Sequence, residues 1–350
     1  GSTFVYGGRQ LGKSALLRKA QRGFGSVPSQ LAIYIDLKAH GVGTYRESDH
    51  LWDLVGSELA DRIPGIGRYR KDESVRKAIL KWLEEDQSRR MLLLLDEADL
   101  YLDSEAREGP DARPGDRFRS LGMLKSIMED TDRRFKVVFA GLHQVQRFQD
   151  ISNTPIAHGG RNILVGPLRQ DEALQLLAPL SDLGYLWENP LLQLRLLSFA
   201  NYQANLVQIV CEALVRRVSG KPLAQGEPPL LITEEDIQAL LANATVRSEV
   251  AERFQLTVNL EDRYRVIAWA AAVDVASEAR SRLSPEQLLE HCLAYWPDGF
   301  DGLSLRNFER YLREMEGLGV FFFDSDQRLI TFRSPHVVRM LGPADVIERE

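Results

Sequence analysis

Short apolar runs alternate with segments of helical periodicity through the first half of the chain. The predicted strands cover Thr3–Tyr6, Leu31–Asp36, Met91–Leu95, Phe135–Ala140 and Asn162–Val165. Apolar residues at helical spacing predict helices between them, as at 51–63 and 74–85, while the polar stretch Ser104–Asp116 is predicted to be a loop. The purely apolar run at 91–95 is typical of a central strand buried on both faces. Strands alternating with helices predict an α/β domain with a parallel sheet over residues 1–168.

Helical periodicity dominates the second half of the chain. Residues 171–219 are predicted to be helical, and the proline- and glycine-rich stretch 220–230 is predicted to be a linker. Beyond it, cap signals and apolar spacing predict a short helix capped by Thr233, then three helices, then a β-hairpin. The three helices cover 265–275, a segment that begins at the capping box Ser284–Gln287, and 305–316, and the hairpin strands cover 320–323 and 329–332. This order predicts a helical lid over 169–220 and an α+β winged-helix domain over 231–342.

The composition is that of an ordinary globular protein. With 350 residues, 44% hydrophobic and 27% charged, the chain has room for two or three domains. A net charge of −6 does not point to nucleic-acid binding. Cys211 and Cys292 are interpreted as free thiols of a reducing compartment. No apolar run approaches the roughly 20 residues of a membrane span, so we expect a cytoplasmic protein without membrane contact. The opening Gly1-Ser2 suggests a piece of a longer protein.

A glycine-rich segment follows the first strand directly. Its sequence is Gly7-Gly8-Arg9-Gln10-Leu11-Gly12-Lys13-Ser14, a P-loop pattern, and Ala15 continues into the next helix. Glycines let the backbone N–H groups turn toward phosphate oxygens, and the helix that starts here adds its positive end. Lys13 is predicted to reach the β- and γ-phosphates, and the Ser14 hydroxyl is predicted to ligate Mg²⁺. The segment predicts binding of ATP or ADP with Mg²⁺, and the alternative is an ordinary glycine turn.

Two acidic residues, Asp96 and Glu97, follow the apolar strand, and Asp96 lies 83 residues beyond Lys13. A carboxylate at that position can hold the shell of a bound Mg²⁺, which is the role predicted for Asp96. The next carboxylate can polarise the attacking water, so Glu97 is the predicted catalytic base of a slow ATPase. The alternative is a surface acidic cluster, with Asp99, that caps a core strand.

Several segments resemble those of AAA+ and STAND ATPases. The segment Leu94–Asp99 resembles their Walker B motif, and Phe139–His143 resembles the fourth-strand segment where these families place a phosphate sensor. The stretch Asn153–Pro167 is similar to the bacterial and archaeal AAA-like group, in which a proline packs on the base and a helical lid follows. The resemblance covers about residues 3–218, and more loosely the winged helix.

The resemblance implies roles for four further residues. His143 would be a sensor near the γ-phosphate, and Arg161 would be an arginine finger toward a neighbouring subunit. Pro167 would pack on the base, and His336 would contact the ADP β-phosphate in a closed state. The alternatives are a histidine satisfied in a loop for His143 or His336, and a solvated arginine for Arg161. The segment 201–208 lacks the family's glycine and proline, which puts a sensor role for Gln203 or Asn205 in doubt.

Two functions of different classes follow from the resemblance. The first is a nucleotide-dependent switch of STAND type in bacterial defence or signalling, with self-association through the ATPase face and with fused or separate sensor and effector domains. The alternative is a DNA-binding AAA+ ATPase that resembles origin-recognition initiators or transposition regulators, in which DNA affinity would need the wing residues Arg328 and Arg333. Arginines and glutamates balance in helix 305–316, so DNA binding is possible but not favoured. A third hypothesis is a nucleotide-binding scaffold with vestigial hydrolysis, which an intact Glu97 opposes.

Overall fold

The computed structural model describes residues 2–106, 118–141, 162–220, 229–278, 282–324 and 326–342. The chain divides into two units by its internal contacts. The first contains Gly1–Gly7 and Gly12–Val165, and the second contains Gly8–Leu11 and Gly166–Glu350. Hydrophobic residues form separate buried clusters in the two units.

A parallel sheet forms the centre of the first unit. Its strands are β1 (Thr3–Tyr6), β2 (Gln30–Asp36), β3 (Arg90–Asp96), β4 (Phe135–Gly141) and β5 (Ile163–Leu164). Their order in the sheet is β2-β3-β4-β1-β5, and each neighbouring pair is parallel. Parallel neighbours need crossover connections, which the intervening helices supply. The α/β fold class predicted from the alternation of strands and helices is therefore confirmed.

Helices cover both faces of this sheet. They are α1 (Lys13–Phe24), α2 (His50–Arg62), α3 (Asp72–Glu84), α4 (Asp99–Ala106) and α5 (Arg119–Asp130). On one face, Leu17 of α1 is buried with Val5 and Leu94. The opposite face carries the larger cluster, which buries Leu93 together with residues of α2, α3 and α5. Strand β3 is buried on both faces, as its apolar run predicts.

The second unit is mainly helical. In chain order it contains α6 (Gln170–Asp182), β6 (Tyr185–Trp187), α7 (Leu191–Phe199), α8 (Ala204–Ser219), β7 (Leu230–Ile232), α9 (Glu234–Ala242), α10 (Ala244–Val258), α11 (Asp262–Glu278), α12 (Pro285–Tyr295), α13 (Pro297–Phe300), α14 (Leu305–Gly317), β8 (Phe321–Asp324), β9 (Leu329–Phe332) and α15 (Pro335–Leu341). One hydrophobic cluster extends from Ala173 to Leu341. Residues of the predicted lid and of the predicted winged helix thus share one interior.

Two helix starts in this unit follow directly from their sequence signals. The Thr233 side chain accepts a hydrogen bond from the Asp236 backbone N–H at 3.3 Å, and the Asp236 carboxylate accepts one in return from the Thr233 N–H. The Ser284 hydroxyl accepts the Gln287 N–H at 3.2 Å, with Pro285 at the first helical position. These capping boxes satisfy N–H groups that the first turn of a helix leaves without a partner.

Three features of the fold differ from the sequence-based expectation. Strands β6 and β7 form a parallel pair where only helix and linker were expected, with Tyr185 opposite Leu230 and Trp187 opposite Ile232. Helix α10 was not predicted. Helix α4 continues to Ala106 and so includes the first three residues of the stretch expected to be a loop, whose residues 107–116 lie outside the described ones. In the part of the chain described here, every helix is too short or too polar to cross a membrane.

Candidate nucleotide-binding site

The glycine-rich segment connects β1 to α1, as the P-loop pattern predicts. Gly12 precedes α1 with a left-handed φ of 103°, a conformation that glycine adopts without strain. Among the residues that the structure describes, no side chain caps α1, and the first turn of α1 carries no acidic residue, so the positive end of the helix dipole is not neutralised by these groups. Both properties suit an anion bound at the start of α1.

Close approach of the backbone explains Gly7. A Cβ atom at this position would lie 2.0 Å from the Val165 carbonyl oxygen, so only glycine fits beside the end of β5. Lys13 is buried, and its Nζ donates a hydrogen bond to the Gly7 carbonyl oxygen at 3.1 Å. The lysine therefore folds back over the loop, where a bound phosphate would be its natural partner. Elsewhere in the segment Gly8 and Leu11 are buried, whereas Arg9, Gln10, Ser14 and Ala15 are exposed.

The acidic pair lies at the carboxyl end of β3. Asp96 is 1% exposed, and its Oδ1 accepts the Glu97 backbone N–H at 3.0 Å. The Asp96 carbonyl oxygen accepts the Leu37 N–H at 3.0 Å, and the Ala98 N–H donates to the Ala140 carbonyl oxygen at 2.8 Å. These backbone hydrogen bonds continue the pairing of β3 with β2 and β4 at the end of β3, and they fix the positions of Asp96 and Glu97. Glu97 has a φ of 51°, a left-handed conformation that is uncommon for glutamate and costs backbone strain.

Tyr34 is the residue of this site that the sequence did not reveal. Its hydroxyl donates a hydrogen bond to Asp96 Oδ2 at 2.7 Å, and the Arg18 guanidinium lies over its ring, 3.5 Å from the centroid. Burial, followed by the hydrogen bond to Asp96, raises the pKa of Tyr34, so the hydroxyl stays protonated. One signal was available: a tyrosine interrupts the apolar strand that precedes the acidic one.

Alternation along the strands places these groups on one face of the sheet. Leu94 and Tyr34 are paired in register and pack in the cluster that α1 covers. Asp96 lies two residues after Leu94, so its side chain points to the same face. The fold thus brings the end of β3 and the start of α1 to the same side of the sheet. His143 and Arg161, predicted as sensor and arginine finger, lie outside the described residues.

Oxygen donors make this site compatible with Mg²⁺. The Asp96 carboxylate accepts one hydrogen bond at each oxygen, which leaves further lone pairs for a metal or its water. Ser14 supplies a hydroxyl in the first turn of α1. Carboxylate, hydroxyl and water oxygens are the ligands that Mg²⁺ takes beside phosphates, so the residues fit the ion. Among the described residues, no group of three or more His, Cys, Asp or Glu side chains forms a separate metal cluster.

In the second unit, Pro167 and the predicted sensor segment contact the turn between α14 and β8. A Cβ atom at Gly319 would lie 2.4 Å from Pro167 Cγ. Gln203 Nε2 donates to the Leu318 carbonyl oxygen at 3.4 Å. Asn205 Nδ2 donates to Gln10 Oε1 at 2.6 Å, and by contacts Gln10 belongs to this unit. A packing role for Gln203, the alternative to a sensor role, matches these contacts.

His336, in the first turn of α15, lies in the second unit with its ring edge-on to Phe199 at 5.6 Å between centroids. It lines a cavity of about 320 Å³ together with Arg195, Arg247 and Arg339. Burial, and to a smaller extent Arg339, lowers the pKa of His336 below its usual 6.5. The ring is therefore largely uncharged at neutral pH, and its predicted contact with a phosphate stays a prediction.

The comparisons with known proteins define a fold class first. No protein-family model matches the chain, and no curated protein is similar to it in sequence. Its structure, however, shares its α/β fold, a parallel sheet followed by a helical unit, with the ORC2 protein of Aeropyrum pernix. This likeness shows the fold alone, because the sequence identity is only 12%.

The similar structure is that of the ORC2 protein of Aeropyrum pernix, which was solved as ADPNP and ADP complexes. It has a TM-score of 0.56 and covers 99% of this chain and 87% of its own. The Aeropyrum pernix ORC1 protein in complex with DNA is 14% identical over 99% of this chain and 88% of its own, with a TM-score of 0.41. Cdc6p from Pyrobaculum aerophilum is 14% identical over 99% of this chain and 86% of its own, with a TM-score of 0.43.

Proposed function

We propose that the chain binds ATP and ADP at the segment Gly7–Ser14 and hydrolyses ATP slowly. One observation carries this proposal: a buried lysine at the start of α1 and a buried aspartate at the end of β3 lie on the sheet face that α1 covers. An anion site and a metal site side by side are what a nucleoside triphosphate with Mg²⁺ requires. The related fold of ORC2, solved with ADPNP and ADP, supports the same ligand class.

Each residue of the site has a chemical task under this proposal. The loop N–H groups and the positive end of α1 bind the phosphates, and Lys13 adds a charge. Ser14 and Asp96 would hold Mg²⁺, which neutralises phosphate charge when bound. Glu97 accepts a proton from the attacking water. His143 as sensor, Arg161 as arginine finger and Pro167 as adenine contact complete the proposed site.

Binding of a fluorescent ADP analogue tests the proposal directly. The Lys13→Ala variant should bind at least about 10-fold more weakly, because a charged donor to phosphate is lost. Lys19 is an exposed lysine on the same helix, so Lys19→Ala is the matched control and should bind like wild type. Absence of nucleotide binding by the wild-type chain, with and without Mg²⁺, would refute the proposal.

Two outputs of the nucleotide cycle can be separated by experiment. In a STAND-type switch, ADP would hold the chain closed through His336, and ATP would permit self-association through Arg161. In a DNA-binding ATPase, nucleotide would control contact with duplex DNA. The fold likeness to ORC2 favours the second output. Sedimentation of the chain with ADP and with a non-hydrolysable ATP analogue tests the first, since unchanged mass in both states would exclude it.

Charge pairing predicts which arginines would contact DNA. Arg313 and Arg328 both form ion pairs with Glu309, which offsets their charge. By contrast Arg247 and Arg339, which line the cavity beside His336, have no ion-pair partner among the described residues. Free cations are available to phosphates without first breaking an ion pair. We therefore assign the DNA contact of this second candidate function to Arg247 and Arg339.

Fluorescence anisotropy with a labelled duplex at low salt tests this candidate. In the double variant Arg247→Ala/Arg339→Ala, the negative slope of log affinity against log salt concentration should become shallower by about 2, one for each lost phosphate contact. The double variant Arg313→Ala/Arg328→Ala is the matched control and should keep the wild-type slope. Wild-type chain that fails to bind the duplex at low salt would eliminate the DNA candidate.

A further inference from the structure

We propose that Tyr34 is a positioning residue for the Asp96 carboxylate, and that Arg18 holds Tyr34 in place. The proposal rests on the nucleotide and Mg²⁺ site described above and adds two residues to it. The hydrogen bond from the Tyr34 hydroxyl to Asp96 Oδ2 and the stacking of Arg18 on the Tyr34 ring carry it. Together they connect α1, which begins in the phosphate-binding segment, to the acidic end of β3.

The sheet register explains why the hydroxyl reaches its partner. Tyr34 is paired with Leu94, and Asp36 is paired with Asp96, so Tyr34 is a diagonal neighbour of Asp96 on the same face. A diagonal neighbour is out of reach for a short side chain but within reach of a tyrosine. A phenylalanine in the same place would fill the space without contacting the carboxylate.

The hydrogen bonds to Asp96 fix the plane of its carboxylate. Oδ1 accepts the Glu97 N–H at 3.0 Å, and Oδ2 accepts the Tyr34 hydroxyl at 2.7 Å. Two donors on opposite oxygens leave one orientation for the group, and its other lone pairs face a defined direction. Donors behind a metal-binding carboxylate orient it toward the metal, and their removal typically weakens metal binding about 10- to 100-fold.

Arg18 restrains the tyrosine from above. Its guanidinium lies 3.5 Å from the centre of the Tyr34 ring, and its Nη1 also donates to Gln21 Oε1 at 3.2 Å on the same helix. The hydrogen bond to Gln21 helps to keep the guanidinium over the ring, where the cation is attracted to the aromatic face. A displacement of α1 near Arg18 would therefore move Tyr34 and change the orientation of the Asp96 carboxylate.

A Mg²⁺ titration of nucleotide binding tests the proposal with the full chain. The probe is a fluorescent, non-hydrolysable ATP analogue, and the readout is the MgCl₂ concentration at half-maximal enhancement of binding. The Tyr34→Phe variant should raise that concentration about 10-fold. Affinity measured in EDTA should stay within twofold of wild type, because Tyr34 does not contact the phosphate-binding segment in this proposal.

Matched variants separate positioning from general effects on stability. Tyr45 is an exposed tyrosine whose ring centre lies 5.9 Å from the Arg46 guanidinium. Tyr45→Phe therefore removes a tyrosine hydroxyl beside an arginine at a position away from the site. Arg18→Ala should raise the Mg²⁺ requirement about threefold, since an exposed cation–aromatic contact is weak. Arg22→Ala, on the same helix, should leave it unchanged. Because Arg18 is exposed, its variant tests the proposal even if Tyr34→Phe fails to fold.

A double-mutant comparison decides whether Tyr34 acts through Asp96. Asp96→Asn alone should remove most of the enhancement by Mg²⁺, and adding Tyr34→Phe should then have no further effect. A Tyr34→Phe variant that melts at a lower temperature but keeps the wild-type Mg²⁺ requirement would overturn the proposal. That outcome leaves the nucleotide site itself intact, whereas loss of nucleotide binding by wild type would refute the proposed function.

Discussion

The side-chain amide of Asn201 donates a hydrogen bond to the backbone carbonyl oxygen of Gly319, 2.8 Å away, although 118 residues separate them in the chain. The Asn201 side chain is buried, and Asn201 has a left-handed φ of 49°, which asparagine tolerates better than most residues. Beside it, Gln203 donates to the Leu318 carbonyl oxygen. The segment between α7 and α8 is thus fastened to the turn between α14 and β8.

Replacing the donor by an acceptor should destabilise the second unit. Asn201→Asp keeps a residue that tolerates the left-handed conformation but turns a carboxylate toward the Gly319 oxygen. We expect a loss of about 2 kcal/mol or more, since a buried polar group is left without its partner. Asn307→Asp, at an exposed position in the first turn of α14, should be neutral or slightly stabilising. Urea unfolding followed by circular dichroism measures both, and equal stability of the two variants would contradict the role of this bond.

Gly319 and Gly65 have similar φ angles but differ in the space available for a Cβ atom. Replacing each by alanine therefore distinguishes the cost of backbone strain from the cost of a steric clash. Gly319 has a φ of 81° and Pro167 at its side, whereas Gly65 has a φ of 84° and open space where a Cβ would lie. Gly65→Ala should cost about 1 kcal/mol, the penalty of a left-handed backbone alone. Gly319→Ala should cost more, because its Cβ would also clash with Pro167 Cγ. The difference between their midpoints of thermal unfolding measures the clash, and no difference would mean that Pro167 moves aside freely.

Hydrolysis should depend on Glu97 far more than binding does. Glu97→Gln keeps the shape of the side chain but cannot accept a proton from water. We expect the rate of ATP turnover to fall at least about 100-fold, with the affinity for the ADP analogue unchanged within twofold. Steady-state phosphate release gives the rate. Equal rates in wild type and variant would instead support a scaffold with vestigial hydrolysis.

Acid should destabilise the second unit through His336. Its pKa in the folded chain is lowered from 6.5, so the unfolded chain binds the proton more readily. The contribution of uncharged His336 to the free energy of unfolding is therefore fully present above pH 6.5, and it is lost as the pH falls toward the pKa that His336 has in the folded chain. Arg339, which lines the same cavity, opposes the added charge. The drop in melting temperature between pH 7.5 and 5.5 should be smaller in His336→Gln, and an unchanged drop would exclude this contribution.

Local signals in the sequence predicted the elements that local physics determines. The parallel strands, the P-loop segment between β1 and α1, and the capping boxes at Thr233 and Ser284 are each encoded within a few residues. Such features need little information from the rest of the chain. Strands β6 and β7 were missed because each has three residues and gains its hydrogen bonds from a partner more than 40 positions away.

The same distinction applies to the candidate site. Lys13 and Asp96 were recognisable because their motifs are contiguous. Tyr34 was not recognisable, because its hydrogen bond to Asp96 depends on the register between β2 and β3. From the sequence alone, a tyrosine in an apolar strand is interpreted as a residue of the hydrophobic core. The contacts of Asn201 and Gln203 likewise depend on packing between distant segments. The roles of all the predicted site residues stay predictions, those of His143, Arg161, Pro167 and His336 included.

The left-handed backbone of Glu97 has a consequence for engineering this protein. A φ of 51° costs a glutamate about 1–2 kcal/mol, and glycine or asparagine would relieve much of that cost. A laboratory selection for heat resistance alone would therefore replace Glu97 by one of these residues. Under the proposed function, such clones would be more stable and unable to hydrolyse ATP. Stability and turnover would thus compete at a single position of the chain.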